Sequence, residues 1–68
     1  MIWVTFKVHN GSELFDGGRT IMINAEAISS VESARNGEAV IFMRNGDSHQ
    51  CFDTYESVCY RLVEANKY

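Results

Sequence analysis

The sequence has no proline, no internal repeat, no low-complexity tract and no apolar run long enough to span a bilayer. These absences exclude repeat arrays, proline-rich linkers and a membrane-spanning helix. The N-terminal run MIWVTFKV alternates in character and is followed at once by polar residues, so it is expected to be neither a signal peptide nor a membrane segment. Basic residues are few, and Lys7, Arg19, Arg35, Arg44, Arg61 and Lys67 are scattered along a chain of net charge −3. Counterion release from a phosphate backbone needs a clustered basic patch, so nucleic-acid binding is disfavoured. Only two cysteines occur, Cys51 and Cys59. Such a pair without a secretion signal fits a reducing cytoplasm, where free cysteines behave as small apolar residues; a strand-to-helix disulfide is the alternative.

Catalytic, metal and nucleotide signatures are missing as well. Asp16-Gly17-Gly18-Arg19 lacks the phosphate-loop spacing and is not followed by a helical pattern, so it reads as a turn. His49 and Cys51, two residues apart, would share one face of a strand at about 7 Å. A structural zinc site wants four nitrogen or sulfur ligands, which would require His9 and Cys59 to converge on the same point. A Cys–His nucleophile pair would need an orienting third group and an oxyanion site, for which so small a domain has little room. No catalytic residue, metal ligand or cofactor is assigned, and the chain is expected not to be an enzyme.

What is present is an ordinary globular composition, 46% hydrophobic and 22% charged in 68 residues. That is one domain, residues 1–68. A chain this short buries only about 60% of the surface its unfolded form exposes, so self-association belongs among the expectations.

Read in order, Ile2, Val4, Phe6 and Val8 alternate with Trp3, Thr5 and Lys7, which predicts a strand with one buried face and Trp3 on the other. Trp3 is either partly covered by a loop or helix or serves as an interface anchor. Between the turn signals at Asn10-Gly11 and Gly17-Gly18 lies a short excursion whose Leu14 and Phe15 are adjacent, and Phe15 is a candidate contact. Thr20 to Ile23 resumes strand character with Ile21 and Ile23 on one face and Met22 on the other. Asn24 then caps a short helical turn.

Residues 31–52, VESARNGEAVIFMRNGDSHQCF, contain two Asn-Gly pairs between apolar runs, which predicts a three-stranded meander around AVIFM. With Asn36-Gly37 and Asn45-Gly46 as two-residue loops, Arg35 pairs with Glu38, Val31 with Phe42, Arg44 with Asp47 and Val40 with Cys51. One face then shows Val31, Val40, Phe42, His49 and Cys51; the other shows Ile41, Met43 and Phe52. The continuous apolar centre predicts a strand covered in part on both sides. Asp53 followed by Glu56 reads as a capping box opening a helix of about three turns that ends near Asn66. Its predicted inward stripe is Tyr55, Val58, Cys59, Leu62 and Val63, with Ser57, Arg61 and Glu64 facing away. The expected fold is α+β, a curved antiparallel β-meander of four to five strands with one C-terminal α-helix packed on one face.

The segments IMINAEAISSVES, AVIFMRNGDS and DTYESVCYRLVE resemble the FlbD-like small flagellar proteins. The matching residues are Ile23, Asn24, Ile28, Val31 and Glu32, then Asn45 and Gly46, then Glu56, Ser57 and Val58. Leu14 to Thr20 departs from that pattern as an insertion, the chain continues past the usual end, and Trp3 and the cysteines lie outside it. The resemblance implies a non-enzymatic cytoplasmic accessory to motility and assigns no binding residues.

Taken together, these features lead to an expected cytoplasmic protein-interaction module that binds a larger protein partner and forms homo-oligomers, with no membrane insertion. Its candidate contact residues are the spare apolar side chains Trp3, Phe15, Met22, Ile41, Met43 and Tyr60. Two alternatives stand beside it. One is a phage or mobile-element inhibitor that blocks a nucleic-acid-binding enzyme with an acidic surface formed by Glu13, Asp16, Glu26, Glu32 and Glu38. The other is a metal or redox module built on Cys51, Cys59 and His49.

Overall fold

A computed structural model describes residues 2–9 and 17–66. Five strands, β1 (Trp3–Val8), β2 (Arg19–Asn24), β3 (Ile28–Ser33), β4 (Glu38–Met43) and β5 (Ser48–Thr54), precede the helix α1 (Tyr55–Ala65). All strand pairings are antiparallel and the spatial order is β2-β1-β5-β4-β3, so β3, β4 and β5 form a meander while β1 and β2 add a hairpin beside β5. A 3₁₀ turn, Ala25–Ala27, joins β2 to β3. These are the two outermost strands. Asn24 and Ile28 are four Cα steps apart, at most about 15 Å, whereas a flat five-stranded sheet holds its outer strands about 19 Å apart. The sheet must therefore curl, as the α+β expectation requires. Asn24 caps the turn as predicted, its side-chain oxygen accepting from the Glu26 N–H at 3.1 Å.

Alternation in β1 buries Val4, Phe6 and Val8 and leaves Trp3, Thr5 and Lys7 outside. They join Ile23, Ala39, Ile41, Cys51 and Val58 in one core, against which Ile2, Ile21, Ile28, Val31, Met43 and Leu62 pack at its margins. Burial of these side chains, roughly 1.5–3 kcal/mol for each large one, is the main driving force for the fold.

The meander exists, but its register differs from the expected one. Both turns are three-residue loops. The Gly37 N–H donates to Ala34 O and the Ala34 N–H to Glu38 O; the Gly46 N–H donates to Met43 O and the Met43 N–H to Asp47 O. Only the glycines take positive φ, 87° at Gly37 and 97° at Gly46, and neither asparagine does. A two-residue loop of the expected type would need positive φ at both positions. Instead each asparagine bridges to the acidic residue after its glycine: Asn36 Oδ1 accepts from the Glu38 N–H, and Asn45 Oδ1 from the Asp47 N–H. The expected Arg35–Glu38 and Arg44–Asp47 cross-strand pairs do not form.

Each turn thus shifts the ladder by one residue, giving Val31 opposite Ile41 and Ile41 opposite His49. One residue of slip turns a strand over. The two slips cancel between β3 and β5, so only β4 is inverted: Ala39 and Ile41 lie in the core, and Val40 and Phe42 lie half-buried on the outer face. The central strand is nonetheless covered in part on both sides, as expected.

The helix packs against β3, β4 and β5. Its N-cap is Thr54 rather than Asp53, with Thr54 Oγ1 accepting from the Ser57 N–H at 3.2 Å. Val58 is fully buried and Leu62 partly, but Val63 is exposed and Arg61 turns inward. The reason lies in β1. The odd-numbered backbone groups of β1 face β5, and the His9 N–H donates to Gln50 O. Among the described residues the β1–β5 ladder has one pair, Val8 opposite Cys51, and no pair continues it toward Thr5. Arg61 fills this gap: its guanidinium donates to Thr5 O and, at 3.3 Å, to Asp53 Oδ2, and it lies 4.5 Å from the Phe6 ring centre.

Candidate interaction surface

The outer face of the sheet, away from α1, carries two distinct groups of side chains. The first spans the β1–β5 junction. Phe52 projects outward beneath His9, with ring centres 3.9 Å apart, and the Lys7 ammonium sits 5.5 Å from the Phe52 ring centre. Gly18 adopts φ 75°, and a Cβ there would come within 2.3 Å of the Phe52 ring. His9 Nε2 lies 3.0 Å from Glu38 Oε1, to which Asn36 Nδ2 (2.8 Å) and Gln50 Nε2 (3.2 Å) also donate. Partial burial alone would raise the Glu38 pKa, but the hydrogen bonds from Asn36, His9 and Gln50 and the His9 charge outweigh it and hold the carboxyl below its ordinary value. All three bonds converge on the single oxygen Oε1. This group therefore acts as a clasp between the hairpin and the meander.

The second group is apolar and lies on the β1–β2 hairpin. Register places Trp3 opposite Asn24 and Thr5 opposite Met22, so Trp3 and Met22 are diagonal neighbours on one face. Trp3 is 52% exposed and Met22 63%. Beside them runs β2, an outermost strand, which among the described residues pairs with β1 alone.

The remaining candidates scatter. Ile41 is completely buried and Met43 is packed against the core. Ile41 is thereby corrected from a surface contact to a core residue, because the register slip turned β4 over. Tyr60 is 66% exposed, but it lies on the helix with Val63, across the sheet from Trp3. Phe15, Glu13 and Asp16 fall outside the described residues. Of the other acidic residues, Glu26 and Glu32 are exposed on the 3₁₀ turn and on β3, while Glu38 is engaged in the clasp. The three do not gather into one surface.

Cys51 and Cys59 are both free thiols. Burial, reinforced by the nearby Asp53 charge, pushes the Cys51 thiol up to about 11, which makes it a poor nucleophile at neutral pH. His9 lies on the opposite face of the sheet from Cys51, so the convergence a four-ligand site requires does not occur. Among the described residues no three His, Cys, Asp or Glu side chains gather around a point.

No protein-family model, curated protein or solved structure matches the chain. The surface itself must carry the functional argument.

Sequence patterning singled out Trp3 and Met22, and the structure brings them together. The clasp was not visible in sequence, because the β1–β5 pairing that assembles it joins residues more than forty positions apart. The signal available for the turns was the acidic residue following each Asn-Gly pair, Glu38 and Asp47, which completes the asparagine bridge in both loops. No helix among the described residues is long and apolar enough to cross a membrane.

Proposed function

We propose that this chain is a small, non-enzymatic protein-interaction module that binds a larger protein partner and self-associates. One observation carries the reading: Trp3 and Met22, two large apolar side chains, stand exposed side by side next to a strand that, among the described residues, pairs on one side only. Burying two such residues on one patch favours a macromolecular contact, and tryptophan and methionine are enriched in interface centres. The two free thiols support a cytoplasmic setting. The resemblance to FlbD-like proteins extends the reading to a partner in motility and rests on the residues named above.

The test is affinity capture from host extract with the native chain and with Trp3→Ser, whose exposed position lets it fold. Proteins retained by the native chain and lost with Trp3→Ser are the expected result. Identical recovery with both chains would overturn the assignment of the patch.

A further inference from the structure

We propose that β2 pairs edge to edge with β2 of a second copy, joining two sheets across a two-fold axis at Met22. This deepens the self-associating part of the reading above and rests on it. Backbone direction comes first. The Ala25 N–H donates to Ile2 O, and the His9 N–H donates to Gln50 O on the other side of β1. Alternation along an antiparallel ladder then points Ile21 and Ile23 toward β1, and turns the N–H and C=O groups of Thr20 and Met22 and the N–H of Asn24 to the edge left open among the described residues, while the Asn24 C=O, at the N-cap, serves the 3₁₀ turn.

An open edge is normally guarded by charge, proline or a bulge. The other edge strand, β3, has such guards: a register shift between Ile28 and Ser30, and an exposed Glu32. In contrast, β2 runs through six unbroken pairs with β1 and has no charged residue from Thr20 to Asn24. Self-pairing centred on Met22 sets Met22 opposite its own copy, Ile21 opposite the copy's Ile23, and Thr20 opposite the copy's Asn24. Met22 then exchanges two backbone hydrogen bonds with its copy, each Asn24 N–H meets the copy's Thr20 C=O, and each apolar residue stays on its own face. The same register brings Arg19 opposite the copy's Ala25 at either end of the seam. Trp3, diagonal to Met22, extends the apolar patch on either side of the axis. A seam this short falls below a standard interface of about 1,600 Å², so a dissociation constant on the order of ten micromolar is expected.

Sedimentation across a concentration series, paired with amide hydrogen exchange, tests the seam. The expected result is a monomer–dimer equilibrium in which the Met22 and Asn24 amides slow as concentration rises. Met22→Lys, at a side chain exposed in the monomer, should weaken dimerisation about a hundredfold through lost burial and opposed charges, with an unchanged far-UV spectrum. Dimers that survive Met22→Lys, or that leave those two amides fast, would overturn the seam while leaving self-association in place. A chain that stays monomeric up to about a millimolar would overturn the seam too, yet Trp3-dependent partner capture could still stand.

Discussion

The two halves of the sheet are held by different means. In the meander, β3, β4 and β5 pair through short local turns, and α1 covers them with Val58 and Leu62. The β1–β2 hairpin is paired internally over six residues, but beyond the shared core it joins the meander through Val8 opposite Cys51, the His9 N–H to Gln50 O, the Arg61 guanidinium and the His9–Phe52–Glu38 clasp. Long-range attachment through a few side chains is weaker than a continuous ladder, and regions with fewer stabilising contacts open first. The hairpin is also the half that carries the exposed Trp3–Met22 pair and the unguarded edge. The less firmly anchored half is thus the one that carries the proposed contact surface.

The largest expected effect comes from the core that both halves share. Ile41→Ala should cost about 2–5 kcal/mol, a large part of the stability of a domain this size. Urea unfolding should show Trp3 fluorescence and far-UV circular dichroism falling together. If Trp3 kept its native emission while the dichroism collapsed, the hairpin would be an independent unit and the comparison would fail.

A smaller and more selective effect is expected at the joint. Arg61→Ala leaves the Thr5 carbonyl and the Asp53 carboxylate without their donor and uncovers Phe6; with these groups solvent-accessible, the loss is about 0.5–1.5 kcal/mol. Hydrogen exchange should quicken in β1 and β2 well before β3, β4 and β5. Uniform quickening would mean that the two halves open as one.

The smallest effect is a pH dependence of the clasp. The Glu38 carboxyl is held below its ordinary value of 4.5, so the folded state gives up this proton more readily than the unfolded chain. Its contribution is present above the ordinary value and is lost as pH falls through the lower folded value. With the Glu38 side chain 20% exposed and screened by solvent, the magnitude is about a few tenths of a kcal/mol. Urea midpoints of the native chain and Glu38→Gln should differ slightly at pH 7 and converge near pH 3; a constant gap would remove Glu38 ionisation from the clasp.

Much of the architecture was legible because it follows from local periodicity. Alternation in β1 and β2, the Asn24 cap and the helical stripe each depend on residues a few positions apart. Register was not legible, because Arg-Asn-Gly-Glu and Arg-Asn-Gly-Asp admit both a two-residue and a three-residue loop. The asparagine-to-acid bridges select the longer one, and that choice reverses β4 and moves Ile41 from surface to core. Arg61 was read as solvent-facing for a related reason: helical spacing reports position around the helix, whereas the unpaired Thr5 carbonyl belongs to another strand.

The sequence by itself determined an α+β domain with a β-meander, a closing helix, and Trp3 and Met22 turned away from the core, because period-two and period-3.6 patterns encode which side of an element is apolar. Tertiary structure decided the rest. The curl of the sheet, the insertion of β1 beside β5, the identity of the edge strands and the gathering of His9, Phe52 and Glu38 all depend on contacts between segments far apart in the chain. Those contacts form only when the whole core closes.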